Sequence, residues 1–295
     1  MKKFIILIPL YNDWKSATKL LNKIDSQISN WDVETSIFII NDASTEKKPE
    51  LNLNFKNIKL IKIINMKKNR GHARCYAAGL KFIIEKDDFD YVILMDGDGE
   101  DRPEELDLIF NKSKENPSKV ITANRVRRSE GLLFKFLYEC HKILTYIFTG
   151  KLIKFGNYGC LPKNEAIKLV KDASLWSSYS GTLTKIIHDS VFVPSFRGSR
   201  YFGPSQMNLA NLLIHSLSII AVFKRIVFFR AVIFSSLYLF FVSYNFYPIA
   251  LFPIIIILFF LFLVFKVSLR ENIEELNNSL ENIESIDSLG NFNGR

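Results

Sequence analysis

Apolar residues in the first part of the chain form short continuous runs, and helix-spaced patterns separate these runs. The runs predict buried strands over residues 3–8, 33–40, 58–64, 91–95, 119–123 and 155–161. After the first run, apolar positions recur at helical spacing from Trp14 to Ile28, and Asp13 is predicted to cap that helix. Strands that alternate with helices predict an α/β fold with a mostly parallel, doubly wound sheet.

Polar and turn residues follow four of the predicted strands. They are Pro9, Tyr11 and Asp13 after the first, Asp42 after the second, Asn69, Gly71 and His72 after the third, and Asp96, Asp98 and Glu100 after the fourth. Ligands of open parallel sheets bind at the carboxyl ends of the strands. The four groups are therefore predicted to converge on one crevice.

The segment YVILMDGDGE, residues 91–100, predicts a metal site at the end of the fourth strand. Side chains alternate along an extended chain, so Asp96 and Asp98 can point the same way, with Glu100 close enough to join them. Clustered carboxylates repel one another unless a cation lies among them, and oxygen ligands favour Mg²⁺ or Mn²⁺. The glycines beside Asp98 would let a diphosphate approach the backbone. The alternative is a solvated acidic loop.

The strings IPLYND, IINDAST, NRGHARCYAAGL and VILMDGDGEDRPEEL resemble successive motifs of the inverting family-2 glycosyltransferases. The resemblance is closest to the polyprenyl-phosphate sugar synthases. It implies a GT-A fold and a nucleotide-sugar donor linked to UDP or GDP. It also implies that Tyr11 and Asp13 flank the nucleoside, that Asp42 holds the base or ribose, and that Asp96 and Asp98 bind the metal and the diphosphate. Pro9, Asn69 and Gly71 belong to the same implied donor site.

The chain departs from the family pattern at two positions of the metal motif. Gly99 stands where the family usually has a leucine, and Glu100 stands where it has a glutamine. A carboxylate at position 100 can still bind a metal. These departures leave the choice of metal open.

Arginines downstream of the metal motif are candidates for an acceptor phosphate. Arg125 and Arg128 match the Arg-x-x-Arg of the polyprenyl-phosphate enzymes, and guanidinium groups bind phosphate oxygens bidentately. Arg200 and Ser205 lie in a segment that resembles the approach to the membrane in bacterial members of the family. A solvated basic turn is the alternative for the arginines. His215 is predicted to pack among apolar neighbours, with contact to the acceptor as the alternative.

The second half of the chain predicts a membrane anchor. Residues 131–148 form an amphipathic pattern with a basic polar face, typical of a helix on a membrane surface or of a core helix. Residues 231–265 contain no charged residue, which is enough for two short spans with a turn at 245–248. Basic residues flank the outer ends of the pair, so the positive-inside rule places both ends in the cytosol. A buried soluble hairpin is the alternative.

These patterns divide the chain into a catalytic domain over residues 1–204, a juxtamembrane helix over 205–225, two transmembrane helices over 226–267 and a cytosolic acidic tail over 268–295. In the tail, Ile273, Leu276, Leu280 and Ile283 predict a short amphipathic helix that could pair with a second copy, which would make a homo-oligomer. Residues from Asp287 onward are predicted to be disordered.

The formal net charge of +9 favours an anionic partner such as a membrane surface or a phosphate-bearing substrate. Nucleic acid is not expected, because the basic residues are dispersed and no nucleic-acid-binding motif is present. Cys75, Cys140 and Cys160 are far apart and lack metal-ligand spacing, which predicts reduced, buried thiols in a cytosolic domain.

The sequence therefore predicts a glycosyltransferase of the cytoplasmic membrane that moves a sugar from a nucleotide donor to a polyprenyl phosphate for cell-envelope glycan synthesis. A phosphate is already a nucleophile, whereas a sugar hydroxyl needs a positioned base. Between Leu161 and Pro204 the acidic residues are Glu165, Asp172 and Asp189, and none lies in a recognisable base motif. Two alternatives are a transferase that extends a glycan at a sugar hydroxyl and an inactive, donor-binding membrane partner.

Overall fold

The computed structural model describes residues 1–49, 55–127, 132–204, 209–245 and 247–290. Its strands are β1 Lys3–Leu10, β2 Glu34–Asn41, β3 Ile58–Met66, β4 Tyr91–Leu94, β5 Val120–Arg127, β6 Phe155–Pro162, β7 Ser190–Phe196 and β8 Ile283–Leu289. Its helices are α1 Trp14–Gln27, α2 His72–Lys86, α3 Leu106–Glu115, α4 Leu132–Thr149, α5 Lys163–Leu169, α6 Tyr179–Ile186, α7 Leu209–Ala221, α8 Lys224–Val242, α9 Phe252–Ser268 and α10 Ile273–Asn277.

All of the described strands belong to one sheet, in the order β7-β5-β6-β4-β1-β2-β3-β8. The strands β4, β1, β2 and β3 are parallel neighbours, and β5 is parallel to β7. The strand β6 runs antiparallel to β4 and β5, and β8 runs antiparallel to β3. The predicted α/β fold with a mostly parallel sheet is confirmed.

Helices cover both faces of the sheet, which explains why its central strands are continuous apolar runs. On one face, Ile6, Ile8 and Ile39 pack with apolar residues of α1 and α3. On the other face, Leu7 and Phe38 pack with α2 and α6. The strand order places β1 near the centre of the sheet. Because β4, β1, β2 and β3 are parallel, the loops that follow them meet at one edge of the sheet.

The strand β5 is longer than the sequence predicts. The apolar run ends at Ala123, but β5 continues to Arg127 because β7 supplies a parallel partner. Arg125 pairs with Ser195 in this ladder. Arg125 was expected in a loop and instead lies within a strand, which fixes its backbone direction.

The helices α8 and α9 form an apolar hairpin. They pack with α7 and α4 around a small core that contains Ile220, Val227 and Val264. The stretches Lys224–Val242 and Pro248–Asn277 are long and apolar enough to cross a membrane, by length and composition. Most of their side chains face outward, for example Phe241, which is 73% exposed.

Two predictions for the tail are wrong, namely a helix that continues to Ile283 and disorder that begins at Asp287. The helix ends at Asn277, and residues 283–289 form β8, which adds to the free edge of β3. Leu276 is fully buried in the core with α2, and Asp287 accepts a hydrogen bond from Asn65 at 3.1 Å. The reason is tertiary, because an open edge of a sheet offers unpaired backbone groups to any compatible segment.

The three cysteines are free thiols, and the prediction that all are buried is correct for Cys75 and Cys160. Cys140 is exposed on α4, so that part of the prediction is wrong. Burial raises the pKa of the Cys160 thiol, which outweighs the opposite effect of a hydrogen bond with Ser113, so this thiol stays protonated.

Candidate active site

The loops after β1 and β2 are tied together by Asn12, a residue that the sequence did not single out. Asn12 has a φ of 49°, and its side-chain oxygen accepts hydrogen bonds from the backbone of Thr45 at 2.7 Å and Glu46 at 3.1 Å. Asparagine tolerates this left-handed conformation better than most residues. An asparagine between a predicted strand and a predicted helix is the sequence signal that could have indicated this turn.

Asp42 organises the turn that begins α2. Its carboxylate is buried and accepts hydrogen bonds from the backbone amides of Arg70 and Gly71, both at 2.8 Å. Gly71 has a φ of 90°, which favours glycine. Asp42 therefore connects the loops after β2 and β3, where the sequence predicts the nucleoside.

Asp96 is held by two side chains from α2. One carboxylate oxygen lies 2.9 Å from His72 Nε2 and accepts a hydrogen bond from the Tyr76 hydroxyl at 2.7 Å. Burial acts to raise the pKa of Asp96, but His72 and Tyr76 outweigh it, and the net pKa is lowered. Asp96 is therefore an ionised carboxylate with a fixed orientation.

Asp101, which the sequence analysis did not select, lies directly behind Asp96. Its carboxylate accepts a hydrogen bond from the Asp96 backbone amide at 3.0 Å. Burial, followed by the charge of Asp96, raises the pKa of Asp101 to about 7. Of this neighbouring pair, Asp96 carries the negative charge and Asp101 takes up a proton more readily.

Asp98 and Asp13 share one guanidinium group. Arg200 donates to Asp98 at 2.7 Å and to Asp13 at 2.5 Å. Asp13 occupies the residue before α1, but its side chain makes no capping hydrogen bond, so the capping prediction is wrong. The Asp13 carboxylate binds the guanidinium group of Arg200 and not the amides of the first helical turn.

Arg200 belongs to residues 197–204, which follow β7 and are called the arm below. Arg197 of the arm forms an ion pair with Glu100. The backbone amide of Gly198 donates to the Glu100 carbonyl at 2.8 Å, and that of Tyr201 donates to the Asp98 carbonyl at 2.9 Å. The arm thus runs directly along the predicted metal motif.

Gly99 is the point of closest approach between the motif and the arm. Its φ is 90°, and a Cβ atom placed there would lie 2.6 Å from the ring of Tyr201. A side chain such as leucine would meet both strained backbone and this ring. Glycine at position 99, where the family usually has a leucine, therefore leaves room for the ring of Tyr201.

The carboxylates after β4 have the chemistry that a divalent cation bound to a diphosphate requires. Among the described residues, no group of three or more His, Cys, Asp or Glu side chains is arranged to hold a metal ion. Magnesium, however, is usually held by one or two carboxylates together with substrate phosphates. Asp98 already binds a cationic group, and its second oxygen accepts from the Glu100 amide at 2.9 Å. This donor set suits Mg²⁺ or Mn²⁺ on a diphosphate.

The predicted acceptor residues are only partly described. Arg128 and Ser205 lie outside the described residues. The guanidinium group of Arg125 packs against Gly156, where a Cβ atom would lie 2.8 Å from its Nη2 atom. Its charge helps to lower the pKa of Asp96, so Arg125 faces the carboxylate cluster, which consists of Asp96, Asp98 and Asp101.

His215 also faces this cluster, although its apolar neighbours predict packing. The imidazole is exposed on α7. The protein atoms packed around the ring outweigh its contact with solvent and, together with the positive charges of His72 and His141, lower its pKa to about 4. These histidines come from α2, α4 and α7, three elements that are distant in sequence.

The remaining predicted donor residues surround the cluster in different ways. Pro9 is buried within β1, where it pairs with Ile40. Tyr11 is 42% exposed and Asn69 is exposed, so both are open to a ligand. The residues missed by the sequence analysis are those that hold the predicted ones, namely Asn12, Tyr76, Asp101, Arg197 and Tyr201.

A mostly parallel sheet with an acidic loop after its β4 strand, and an antiparallel β6 strand beside it, is the architecture of a GT-A glycosyltransferase. The model of the family named Glycosyl transferase family 2 matches residues 5–174, which is more than half of the chain, and the protein belongs to this family. The family and fold predicted from the sequence are confirmed.

Solved structures of family relatives have the same fold. Mannosyl-3-phosphoglycerate synthase from Rubrobacter xylanophilus is 12% identical, with a TM-score of 0.55 over 76% of this chain and 73% of that one. Glucosyl-3-phosphoglycerate synthase from Mycobacterium tuberculosis, in complex with Mn²⁺, UDP and phosphoglyceric acid, is 12% identical, with a TM-score of 0.54 over 77% and 78%. At this identity the likeness establishes the fold alone.

A fragment of S. aureus TarS in complex with UDP-GlcNAc is 17% identical. Its TM-score is 0.43, over 76% of this chain and 66% of that one.

Proposed function

We propose that this protein is a membrane-anchored, metal-dependent inverting glycosyltransferase that moves a sugar from a nucleotide donor to a polyprenyl phosphate. The glycolipid product would serve cell-envelope glycan synthesis. The family and fold establish the coarser part of this statement, a family-2 glycosyltransferase.

The donor proposal is supported by the carboxylates at the ends of β1, β2 and β4. Asp98, with Asp96 beside it, would hold Mg²⁺ or Mn²⁺ on the donor diphosphate, as the M. tuberculosis relative was crystallised with Mn²⁺ and UDP. A bound divalent cation neutralises charge on the departing nucleoside diphosphate. His72 and Tyr76 fix the Asp96 carboxylate in its ionised state, so little reorganisation is needed when the donor binds.

The observation that carries the acceptor proposal is the position of the acidic residues between Leu161 and Pro204. Glu165 pairs with Lys168, Asp172 with Lys185, and Asp189 with Lys119, all as ion pairs away from the carboxylate cluster. This stretch therefore supplies no base for a sugar hydroxyl. A phosphate monoester, with a second pKa of about 6, needs no base to become a nucleophile.

On the acceptor side, the permanently charged Arg125 and the neutral imidazole of His215 face the cluster. Arg125 approaches from β5 and His215 from α7. Arg125, with Arg128 as its partner from the sequence motif, would hold the acceptor phosphate. An oxygen of that phosphate would attack the anomeric carbon as the bond to the donor diphosphate breaks, and no proton has to be removed in this step.

The membrane anchor is supported by the outward-facing apolar residues of α8 and α9. In α4, the described residues Ile143, Tyr146 and Ile147 are also exposed, which favours a helix on the membrane surface. Arg230 of α8 donates to the Ile147 carbonyl at 2.9 Å and so links this surface helix to the first span.

The chain on both sides of the hairpin contributes to one sheet, through β7 before it and β8 after it. Both ends of the hairpin must then lie on the side of the catalytic domain. This agrees with the charge pattern, which favours a cytosolic catalytic domain in the cytoplasmic membrane.

Two rival functions would give different products. A transferase acting on a sugar hydroxyl would label a glycan rather than a polyprenyl phosphate. An inactive donor-binding partner would neither transfer nor hydrolyse a nucleotide sugar. The ion pairs that occupy Asp98 and Glu100 are the feature on which the inactive alternative rests.

The deciding experiment supplies membranes that contain the protein with radiolabelled UDP-sugars and GDP-sugars, with and without added polyprenyl phosphate. We expect label from one donor to enter an organic-extractable, mild-acid-labile lipid. Membranes with Asp98→Asn protein provide the control. Label that enters only a water-soluble glycan would contradict the phosphate acceptor, and no metal-dependent turnover at all would favour the inactive partner.

A further inference from the structure

The arm places two arginines on the carboxylates that the donor and its cation would use. Arg200 bridges Asp13 and Asp98, with side chains that are each less than one-fifth exposed. Arg197 binds Glu100 at similar burial. Positive charge is therefore already present where the sequence alone predicts uncompensated acidic residues.

We propose that Arg200 is an internal counter-ion of the donor site, which holds the place of the donor-bound cation and moves onto the donor diphosphate when that cation binds. This inference rests on the proposed donor. It adds a role for Arg200 in the donor site, where the sequence had placed that residue at the acceptor phosphate.

The chemistry of Arg200 suits this exchange. A guanidinium group has five N–H donors and stays charged, so it can bridge two carboxylates and can equally bridge two phosphate oxygens. Its Nε atom is buried and has no hydrogen-bond partner among the described residues. An unsatisfied buried donor is costly, and a phosphate oxygen would satisfy it. A cation on Asp98 would repel the guanidinium group from its present position and leave it beside the diphosphate.

Other contacts of the arm can remain in place during the exchange. The Gly198 and Tyr201 amides donate to backbone carbonyls of the motif, and these bonds do not depend on the charge of Asp98. The Tyr201 ring packs over Gly99, and Lys19 lies 4.8 Å from the centre of that ring. Arg197 holds Glu100. The arm is thus attached through backbone and aromatic contacts, while the Arg200 side chain alone has to move.

These anchors account for both departures from the family motif. Glycine at position 99 makes room for the ring of Tyr201, and glutamate at position 100 supplies a charged partner for Arg197. On this proposal Glu100 anchors the arm and is not a metal ligand, which differs from the role that the sequence predicts for it.

The proposal predicts that Arg200 and the metal compete for Asp98. The test uses the full-length protein in detergent micelles, with Mn²⁺ alone as the first probe and electron paramagnetic resonance to measure free Mn²⁺. We expect Arg200→Met to bind Mn²⁺ alone about tenfold more tightly than the wild type, because a charge-assisted contact no longer opposes the metal. The control is Arg102→Met, a surface arginine that pairs with Glu104 near the same loop.

The second probe is UDP or GDP with saturating Mn²⁺, measured by calorimetry. Arg200→Met should bind the nucleoside diphosphate about tenfold more weakly, because the arginine is no longer available to the phosphates. A merely structural role would move both affinities in the same direction. Mn²⁺ affinity that is equal in the two proteins, or detectable in neither, would overturn the proposal.

A further variant tests the role of Glu100. Glu100→Gln should leave the affinity for Mn²⁺ alone unchanged or increased, while trypsin should cleave after Arg197 or Arg200 faster than in the wild type. Weaker Mn²⁺ binding in this variant, with unchanged cleavage, would make Glu100 a metal ligand and would overturn its assignment as an anchor.

The binding tests are separable from the lipid-transfer test. If label enters no lipid but Arg200→Met shifts the two affinities in opposite directions, the counter-ion role stands and the acceptor proposal fails. If lipid is labelled and the affinities do not shift, the counter-ion proposal alone fails.

Discussion

Asp96, Asp98 and Glu100 lie within five positions of the chain, yet each meets a different partner. Asp96 is held by His72 and Tyr76, whereas the other two bind arginines of the arm. The alternation of an extended strand predicts a shared direction but no partners, because the partners come from α2 and from residues about 100 positions further along the chain. Their chemical roles therefore depend on tertiary contacts.

On the proposed function, Asp98 is the residue whose charge the donor site needs most. We expect Asp98→Asn to lower turnover by at least about a hundredfold while the protein stays folded, because an amide cannot neutralise a divalent cation. The measurement is sugar transfer in membranes at saturating donor. Asp189→Asn, a surface carboxylate paired with Lys119, is the control. Full activity of Asp98→Asn, or of the wild type in excess chelator, would exclude the metal role.

Arg125 tests the acceptor side. Arg125→Lys keeps the charge and removes the planar fork, so long-range attraction survives while bidentate binding is lost. We expect kcat/KM for polyprenyl phosphate to fall roughly tenfold to hundredfold, from a loss of about 1.5 to 3 kcal/mol. The KM for the donor should change little. A weaker donor affinity with an unchanged dependence on acceptor would assign Arg125 to the diphosphate instead.

Among the elements, the strands β1 to β6 were predictable from their apolar runs, whereas β7 and β8 at the two edges of the sheet were not. The ends of these strands were less predictable. The strand β5 extends through the polar residues Asn124 and Arg125 because β7 pairs with it, and no local pattern encodes that partner. The candidate site shows the same limit of local patterns. Its carboxylates were found because they follow predicted strands, whereas Arg197 and Tyr201 follow β7, which was not predicted.

The tail gives the clearest case of tertiary override. Four apolar positions at helical spacing predict a helix, but the last of them begins β8. Trp176 donates to Glu275 at 2.7 Å, and Leu276 fills a place beneath α2. These tertiary contacts outweigh the helical preference of residues 273–283, and the chain beyond Asn282 pairs with β3 as a strand.

The burial of Leu276 can be measured. Leu276→Ala should lower the free energy of unfolding by about 2 to 5 kcal/mol, because it leaves a cavity in a closed core. Ile286→Ala, in the same tail but 45% exposed, should cost less than about 1 kcal/mol. Urea titration followed by tryptophan fluorescence compares the two variants. Equal midpoints would mean that the tail does not pack on the domain in solution.

At the scale of the whole molecule, the hairpin lies between two segments of one sheet. We predict that a cysteine at Tyr244, in a background without Cys75, Cys140 and Cys160, reacts with an impermeant thiol reagent added outside intact cells. A cysteine at Asn277 should react only after the membrane is opened, because α10 lies on the catalytic domain.

The reverse labelling pattern would place the catalytic domain outside the cytosol. Reaction at both positions in intact cells would contradict a hairpin that crosses the membrane. Sugar transfer measured for each cysteine variant controls for misfolding.

Because β8 follows the hairpin in the chain, the sheet can be completed only after the hairpin has been synthesised. While the chain emerges from the ribosome, β3 has an open edge until residues beyond Ile283 are available. On the proposed topology, both spans must already have entered the bilayer by then. A chain whose hairpin failed to insert would present the β3 edge and the apolar helices together. On the proposed topology, β8 would therefore close the sheet only after the hairpin has been synthesised.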